Sequence, residues 1–355
     1  MQLQQLNLTS FKNHALKTFE FKGEIVVLCG ENGTGKTNVL DAIYLLCMCK
    51  SYFQASEINN IRHQDPFYSV FGKCGDNEIA CMVRRGQGKI FRFNGKEYDK
   101  LSEHIGKMPV VMIAPSDIEL IYGGSEQRRR FMDTLLSQTD REYLSSLQLY
   151  LRGLEQRNRL LKQGSEKGYT DNMVLEAVTR QLIAPAELIF KKRRQFIKDF
   201  LPHFYRYHKL LTEGKEDPEL VYESLLLEKD PESWFRSNLS RDMELGRTEK
   251  GIHRDDLELL LNTYPVKKFG SQGQVKSYLI ALRLAQSDFL KEKTGTKPFL
   301  LLDDIFEKLD QPRTRKLMQL VAQSYFGQIF ITDTHRERIE TIFAGTGAFP
   351  QIIHL

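Results

Sequence analysis

No run of the sequence approaches the roughly 20 consecutive apolar residues that a bilayer-spanning helix requires. The opening Met-Gln-Leu-Gln-Gln-Leu has none of the basic-then-apolar layout of an export signal. Cysteine is sparse and one-sided: Cys29, Cys47, Cys49, Cys74 and Cys81 all precede residue 82, and no two form a Cys-x-x-Cys pair. An odd number of thiols in apolar surroundings argues against disulfides and zinc ligation. With the missing signal, it makes a cytoplasmic protein without a membrane partner the expectation. Internal repeats and low-complexity segments are absent. So is any aromatic-interleaved basic run of the kind that marks a stacking platform for single strands. Charge of one sign is not in great excess: 51 Lys and Arg against 46 Asp and Glu leave +5. That leans toward an anionic partner without separating a nucleic-acid binder from an average basic enzyme. What remains is 355 residues, 41% hydrophobic and 27% charged, enough for one large α/β domain or two modest ones.

The run Gly30, Glu31, Asn32, Gly33, Thr34, Gly35, Lys36, Thr37 fills G-x-x-x-x-G-K-[ST] at every constrained position. Ile25-Val-Val-Leu-Cys29 ahead of it reads as a buried strand, and Asn38 to Cys49 behind it as a helix. Glycines at these points let successive N–H groups turn inward as an anion nest at a helix N-terminus. Lys36 then reaches the β- and γ-phosphates, and Thr37 offers its hydroxyl to Mg²⁺. The pattern predicts binding of a nucleoside triphosphate.

Residues 1 to about 120 alternate short strand-like runs with turns: Leu3, Leu6 and Leu8; Ser69 to Gly72; Ile79 to Val83; Lys89 to Phe93 with an Asn94-Gly95 hairpin turn; Val110 to Ala114. From about 125 to 210 the texture is helical. Leu144, Leu147, Leu151, Leu154 and Leu161 lie on a near-heptad seam, broken at Gly164, Gly168 and Tyr169. A second helix follows with Val178, Leu182 and Ile189, and Pro185 predicts a kink in it. The pair reads equally as a short antiparallel arm or as two surface helices of one domain. Residues 214–231 read as a loop with a short helix, and the last third returns to alternating strand and helix.

Phe299-Leu-Leu-Leu-Asp303-Asp304 is an apolar run delivering two carboxylates at its end, where open α/β sheets place ligand chemistry. Asp303 is positioned to hold Mg²⁺ through its water shell, and Asp304 to orient or deprotonate an attacking water. Earlier lies Gly270-Ser-Gln-Gly-Gln274 at the start of a helical run, another anion site through Ser271, Gly273 and Gln274. Two phosphate-binding helix starts for one triphosphate make sense if the second serves a nucleotide held by another subunit.

This order and spacing resembles the ABC-type ATPase head, and Asn32-Gly33 resembles its SMC-like branch. Within that branch the chain is similar nearly end to end to the RecF family of bacterial recombinational-repair ATPases. The resemblance runs through Asn38-Val-Leu-Asp-Ala-Ile-Tyr-Leu-Leu46, Ala114-Pro-Ser-Asp117, Gly124-Ser-Glu-Gln-Arg-Arg-Arg-Phe-Met-Asp133 and Arg157-Asn-Arg-Leu-Leu-Lys162. It continues through Gly251-Ile-His-Arg-Asp-Asp256, Leu302-Asp-Asp-Ile-Phe-Glu-Lys-Leu-Asp310 and Phe330-Ile-Thr-Asp-Thr-His335.

The resemblance implies a mixed-sheet ATPase lobe over 1–120 and 250–355, a mainly helical lobe over 121–249, and the Ser271–Gln274 signature at their junction. It implies a weak, DNA-linked ATPase that forms an ATP-dependent homodimer on gapped DNA and single-strand/double-strand junctions. RecO and RecR would be its partners, RecA loading the outcome, and replication, recombination and SOS-linked damage repair the setting. Carried onto this chain, Lys36 and Thr37 hold phosphates and Mg²⁺, with Asn38 behind them, and Asp303 holds the metal. Asp304 stands where many relatives carry glutamate. Ser271 and Gly273 meet the partner's γ-phosphate, Leu309-Asp310 faces the dimer, and His335 senses the γ-phosphate. The chain departs from the family in four places. Lys12 stands where arginine is usual in the entry motif, with a phosphate or base contact implied. Ala114 to Asp117 offers Ser116 and Asp117 in place of a lobe-linking glutamine. Glu307 replaces a serine, and His335 falls a few residues past its strand.

DNA-contact candidates are Arg128 to Arg130, Lys191 to Arg194, and His253-Arg254. The first group reads equally as carboxylate bridges and the second as a solvated helix face. The alternative functions are an energy-coupling subunit of another ABC-type system, for which no coupling segment is visible, and a phosphate-loop kinase. The kinase would leave Ser271-Gly273 and Asp303-Asp304 without a joint role.

Overall fold

The computed structural model describes residues 1–168, 171–308, 311–322, 326–344 and 346–355. Two compact units divide the chain. The first comprises 1–117, 203–215 and 272–355; the second comprises 118–202 and 216–271.

The first unit is built on a five-stranded parallel sheet with spatial order Gln351–His354, Ile25–Cys29, Ile329–Asp333, Phe299–Leu302, Val110–Ile113. The inner strand Phe299–Leu302 and the edge strand Val110–Ile113 are continuous apolar runs, buried at every position, as a sheet covered on both faces requires. The helix Lys36–Met48 packs on this sheet and also on a six-stranded antiparallel one. That second sheet has the order His14–Glu20, Leu3–Phe11, Phe67–Cys74, Asn77–Arg84, Lys89–Phe93, Lys96–Glu97. Alternation along Phe67–Cys74 turns Tyr68 and Val70 inward to meet Leu6, Leu8, Ile43 and Leu46, while Leu301 and Phe330 join the same core from the parallel sheet. The phosphate-loop helix is thus apolar nearly all round, a buried helix with no solvent stripe. All five cysteines are buried as free thiols.

In the second unit the helices Ser125–Thr139, Arg141–Lys167 and the first part of Asn172–Thr212 accompany a three-stranded antiparallel sheet, Tyr264–Pro265, Asp256–Leu261, Pro218–Glu223. The helix Asn172–Thr212 continues through Pro185 and Pro202, and the unit division falls directly after Pro202. Among the described residues no helix is long and apolar enough to cross a membrane.

The structure departs from the sequence reading in several places. Residues 214–231 contain the strand Pro218–Glu223, which short length and interspersed acids concealed. That strand pairs with Asp256–Leu261, so residues 250–271 belong with the second unit, where the sequence expectation grouped them with the first. Of the leucine seam on Arg141–Lys167 Leu161 alone is buried: Leu151 is 51% exposed, and Tyr143, Tyr150, Gly153 and Arg157 complete the buried stripe. Tyr143, Tyr150 and Arg157 are polar-tipped, so an aliphatic count could not find them. A Cβ on Gly153 would lie 2.7 Å from Leu182, which places the two helices in close contact. Gly164 does not end the helix, which closes at Gly168 in a left-handed cap. Tyr169 and Leu309-Asp310 lie outside the described residues, as does the side chain of Glu307.

Candidate functional site

The strand Ile25–Cys29 ends at the phosphate loop, and Gly33 (φ 86°) and Gly35 (φ 100°) carry it through left-handed backbone into the helix Lys36–Met48. Gly35 has no alternative: a Cβ there would lie 2.5–2.6 Å from Asn13 and His14. The first turn of the helix has no acidic side chain, so its N-terminal dipole is uncompensated. Lys36 is 4% exposed and folds back over the loop, its Nζ donating to the carbonyls of Gly30 (2.8 Å) and Glu31 (3.0 Å). Thr34 Oγ1 also donates to Glu31 (3.0 Å), while Glu31, Asn32 and Gly33 are exposed at the tip.

Asp303 follows the strand Phe299–Leu302, and Thr37 Oγ1 donates to its Oδ1 at 2.8 Å. Thr332 lies on the strand between those of the loop and of Asp303. It donates to the same oxygen (2.9 Å), reaches Asp304 Oδ1 (3.3 Å), and accepts from the Asp304 amide (2.9 Å). Asp304 is held at φ 44°, a left-handed conformation unusual for an aspartate outside a turn. Burial raises the Asp303 pKa above the ordinary carboxylate value; the Thr37 and Thr332 hydroxyls pull it back down, and Asp304 adds to the rise.

Hard oxygens from Thr37 and Asp303, hydrogen-bonded at 2.8 Å, suit a Mg²⁺ ion, which Thr37 would hold directly and Asp303 through the ion's water shell. Among the described residues no group of three or more His, Cys, Asp or Glu could hold a metal unaided, so phosphate oxygens would have to complete the shell.

The strand-turn segment at 11–14 supplies contacts that sequence reasoning missed. Asn13 donates to the Gly33 carbonyl (3.3 Å) and accepts from Asn38 Nδ2 (2.8 Å). His14 Nε2–H donates to the Gly35 carbonyl (3.2 Å); burial lowers the ring's pKa, and the bond to Gly35 pulls it partly back up. Lys12 itself turns elsewhere: its ammonium pairs with the fully buried Asp41 at 2.5 Å. The candidate loop contact at this turn is therefore made by its neighbours. The signal was available in Phe11-Lys12-Asn13-His14, two small polar groups beside the residue singled out.

Asp41 also accepts from Ser51 Oγ and the Tyr52 amide, both 2.6 Å. Tyr52 O–H donates to Asp117, which accepts from Arg283 at 2.7 Å and, through its other oxygen, from the Ala114 amide at 2.9 Å. The Ala114–Asp117 segment thus grips Arg283 on the helix Gln272–Thr294, through Asp117. Ser271 is exposed just ahead of that helix, and a Cβ at Gly273 would stand 3.3 Å from the Arg313 guanidinium. His335 is exposed at the N-cap of Arg336–Phe343; its amide donates to Asp333 (2.7 Å), a buried carboxylate held by Arg338 (2.7 Å).

Most of the basic candidates are committed inside the second unit. Arg128 makes a bidentate pair with Asp256 (2.6 and 2.8 Å), and Arg129 donates to the Asp255 carbonyl (2.7 Å). Arg193 is buried, donating to Asp133 and Asp255 (2.9 Å each) and to the Ile252 carbonyl (2.8 Å). Lys192 pairs with Asp140 at 2.6 Å. His253 donates through Nε2–H to Thr248 (3.2 Å) and accepts from Tyr150 O–H (2.9 Å), a neutral ring whose pKa burial lowers to about 4. Arg130, Lys191, Arg194 and Arg254 are exposed.

The whole chain was compared with known proteins. The RecF/RecN/SMC N-terminal domain family matches residues 2–348. The DNA replication and repair protein RecF of Flavobacterium johnsoniae is 45% identical, covering 100% of both chains. That of Phocaeicola vulgatus is 44% identical over 96% of this chain and 93% of its own. Among solved structures, the recombination mediator protein RecF-ATP of the RecFOR pathway superposes with a TM-score of 0.86 at 28% identity, covering 94% of this chain and 92% of that one. A Pyrococcus furiosus Smc head (TM-score 0.55, 16% identity, 99% and 92% covered) shares the fold alone. With the loop, the acidic strand and the mixed sheets in one α/β ABC/SMC-like head, the chain belongs to the RecF family.

Proposed function

We propose that this chain is an ATP-dependent DNA-binding protein of recombinational repair, working on gapped DNA and single-strand/double-strand junctions. One observation carries the ATPase part: Thr37, Asp303, Thr332 and Asp304 form one hydrogen-bonded cluster beside the loop that Lys36 covers. In this reading Lys36 leaves the Gly30 and Glu31 carbonyls for the β- and γ-phosphates, and residues 30–38 cradle the triphosphate. Thr37 and Asp303 hold Mg²⁺, which when bound neutralises charge on the phosphates and orients them. Asp304 orients the attacking water, with Thr332 fixing both carboxylates. Dimerisation places Ser271, Gly273 and Gln274 of one subunit on the γ-phosphate held by the other, with His335 near the same group. ATP then joins the subunits, and slow hydrolysis releases them from DNA.

The family resemblance supports RecO- and RecR-type mediators as partners and RecA loading as the outcome. It also supports a division into an ATPase lobe and a mainly helical lobe. Arg130, Arg194 and Arg254 are the arginines of the candidate DNA set left exposed beside committed neighbours, and we assign them to the DNA backbone. Gel filtration of the purified protein with ATP, gapped duplex, both and neither tests the reading. The expected result is a dimer with ATP that co-elutes with gapped DNA; a monomer under all four conditions overturns it.

A further inference from the structure

The second unit displays two aromatic rings with no core to enter. The strand Asp256–Leu261 reverses through Asn262 (φ 51°) and Thr263 (φ 68°), both left-handed, into Tyr264–Pro265. A β-branched residue in that conformation is strained, and the turn is pinned. The Asn262 amide donates to the Asp217 carbonyl (2.8 Å), and its side-chain oxygen accepts from the Asp217 amide (2.9 Å). The next residues form the single turn Val266–Phe269, anchored by Val266 at 1% exposure. On either side of this anchor Tyr264 is 60% and Phe269 66% exposed, their rings edge to face with centroids 5.5 Å apart. Lys267 and Lys268 lie between them, exposed, with no ion pair among the described residues, although Glu223 and Glu258 line the same cavity. The stretch Tyr264-Pro-Val-Lys-Lys-Phe-Gly-Ser271 contains no acid.

Adjacent exposed rings are not the scattered apolar residues of an ordinary surface. A pinned turn that holds them outward with two unpaired ammonium groups has the parts that grip an unpaired polynucleotide: π-faces for bases and cations for phosphates. We propose that Tyr264, Phe269, Lys267 and Lys268 form a stacking site for the unpaired strand of DNA. The class of partner rests on the DNA-binding reading; the place and mode of contact rest on this patch.

The test uses full-length protein saturated with a non-hydrolysable ATP analogue, the state in which DNA binding is proposed; a variant that only weakened dimerisation would lose affinity for all probes equally. Anisotropy is measured with a labelled oligo-dT, an abasic oligomer of equal length, and a blunt duplex. Wild type should bind oligo-dT more tightly than the abasic strand. The double variant Tyr264→Ala/Phe269→Ala should lose that preference, weakening oligo-dT by roughly 5- to 150-fold per stacked base and leaving the other two probes unchanged. Tyr264→Phe/Phe269→Tyr should restore it. Lys267→Ala/Lys268→Ala should weaken both strands alike and flatten their salt dependence. Equal binding of oligo-dT and abasic strand by wild type, or equal losses on all probes in the double variant, overturns the stacking site while leaving the DNA reading intact. If wild type binds none of the probes but gains affinity for an acidic peptide, both the site and its DNA partner are wrong.

Discussion

Thr37 and Thr332 donate to the same oxygen of Asp303, from 2.8 and 2.9 Å, although one lies on the helix Lys36–Met48 and the other on the strand Ile329–Asp333. The carboxylate is therefore aimed before any phosphate arrives. Thr332→Val removes a hydroxyl that also serves the Asp304 amide, so it should lower stability by about 1–3 kcal/mol through the unpaired buried group. ATP affinity should change little, and single-turnover hydrolysis should slow about tenfold as Asp304 loses its hold. Denaturant titration, nucleotide titration and rapid quench read the three effects separately.

Asp304→Asn should leave ATP binding near wild type and slow hydrolysis by about 10²–10⁴, accumulating the ATP-bound dimer. Hydrolysis at the wild-type rate in single turnover would show that Asp304 only shapes the turn.

Ser271→Arg should block ATP-driven dimerisation and leave the affinity of the single subunit for ATP nearly intact. The resident nucleotide has the 30–38 loop, whereas Ser271 is exposed at a separate helix start. Sedimentation with ATP, beside an affinity titration, decides; dimerisation at full strength would remove the trans role.

Removing the buried Arg193 guanidinium strands Asp255, and Asp133 loses its partner too. Arg193→Met should cost on the order of 3–5 kcal/mol, read as a lower denaturation midpoint. Arg254→Met, at an exposed residue next to Asp255, should stay within about 0.5 kcal/mol and instead weaken duplex binding with a smaller salt slope.

Burial holds His104 and His253 near 4, against an ordinary value of 6.5. Between those values the unfolded chain takes up protons that the folded chain refuses. Stability is therefore complete above about pH 6.5 and falls on acidification toward 4. Each ring should contribute about 2 kcal/mol of loss by pH 5. Thermal melts from pH 7 to 4.5 should show the decline, flattened in the His104→Gln and His253→Gln variants.

The nucleotide half of the site was legible because its chemistry is local. Gly33, Gly35, Lys36 and Thr37 are contiguous, and Asp303 ends an apolar run that can only be a buried strand. What escaped lies where contacts join distant segments. Asn13 and His14 touch the loop only because a hairpin brings them there. Thr332 is an ordinary strand residue until the intervening position of its strand is known. The Lys12–Asp41 pair escaped because its carboxylate is buried on the loop's own helix, a pairing no spacing rule encodes. The sequence reading found no aromatic-interleaved basic run, and Tyr264 and Phe269 escaped it because only the fold shows both rings facing outward at one turn.

Both sheet neighbours of the phosphate-loop strand come from the far end of the chain, Ile329–Asp333 and Gln351–His354, and the Leu355 amide donates to Cys29 at 2.9 Å. During vectorial synthesis the loop leaves the ribosome long before the two strands that flank it. A nascent chain should therefore be unable to retain nucleotide until residues 329–354 have emerged, and the timing of chaperone release is set by that long-range closure.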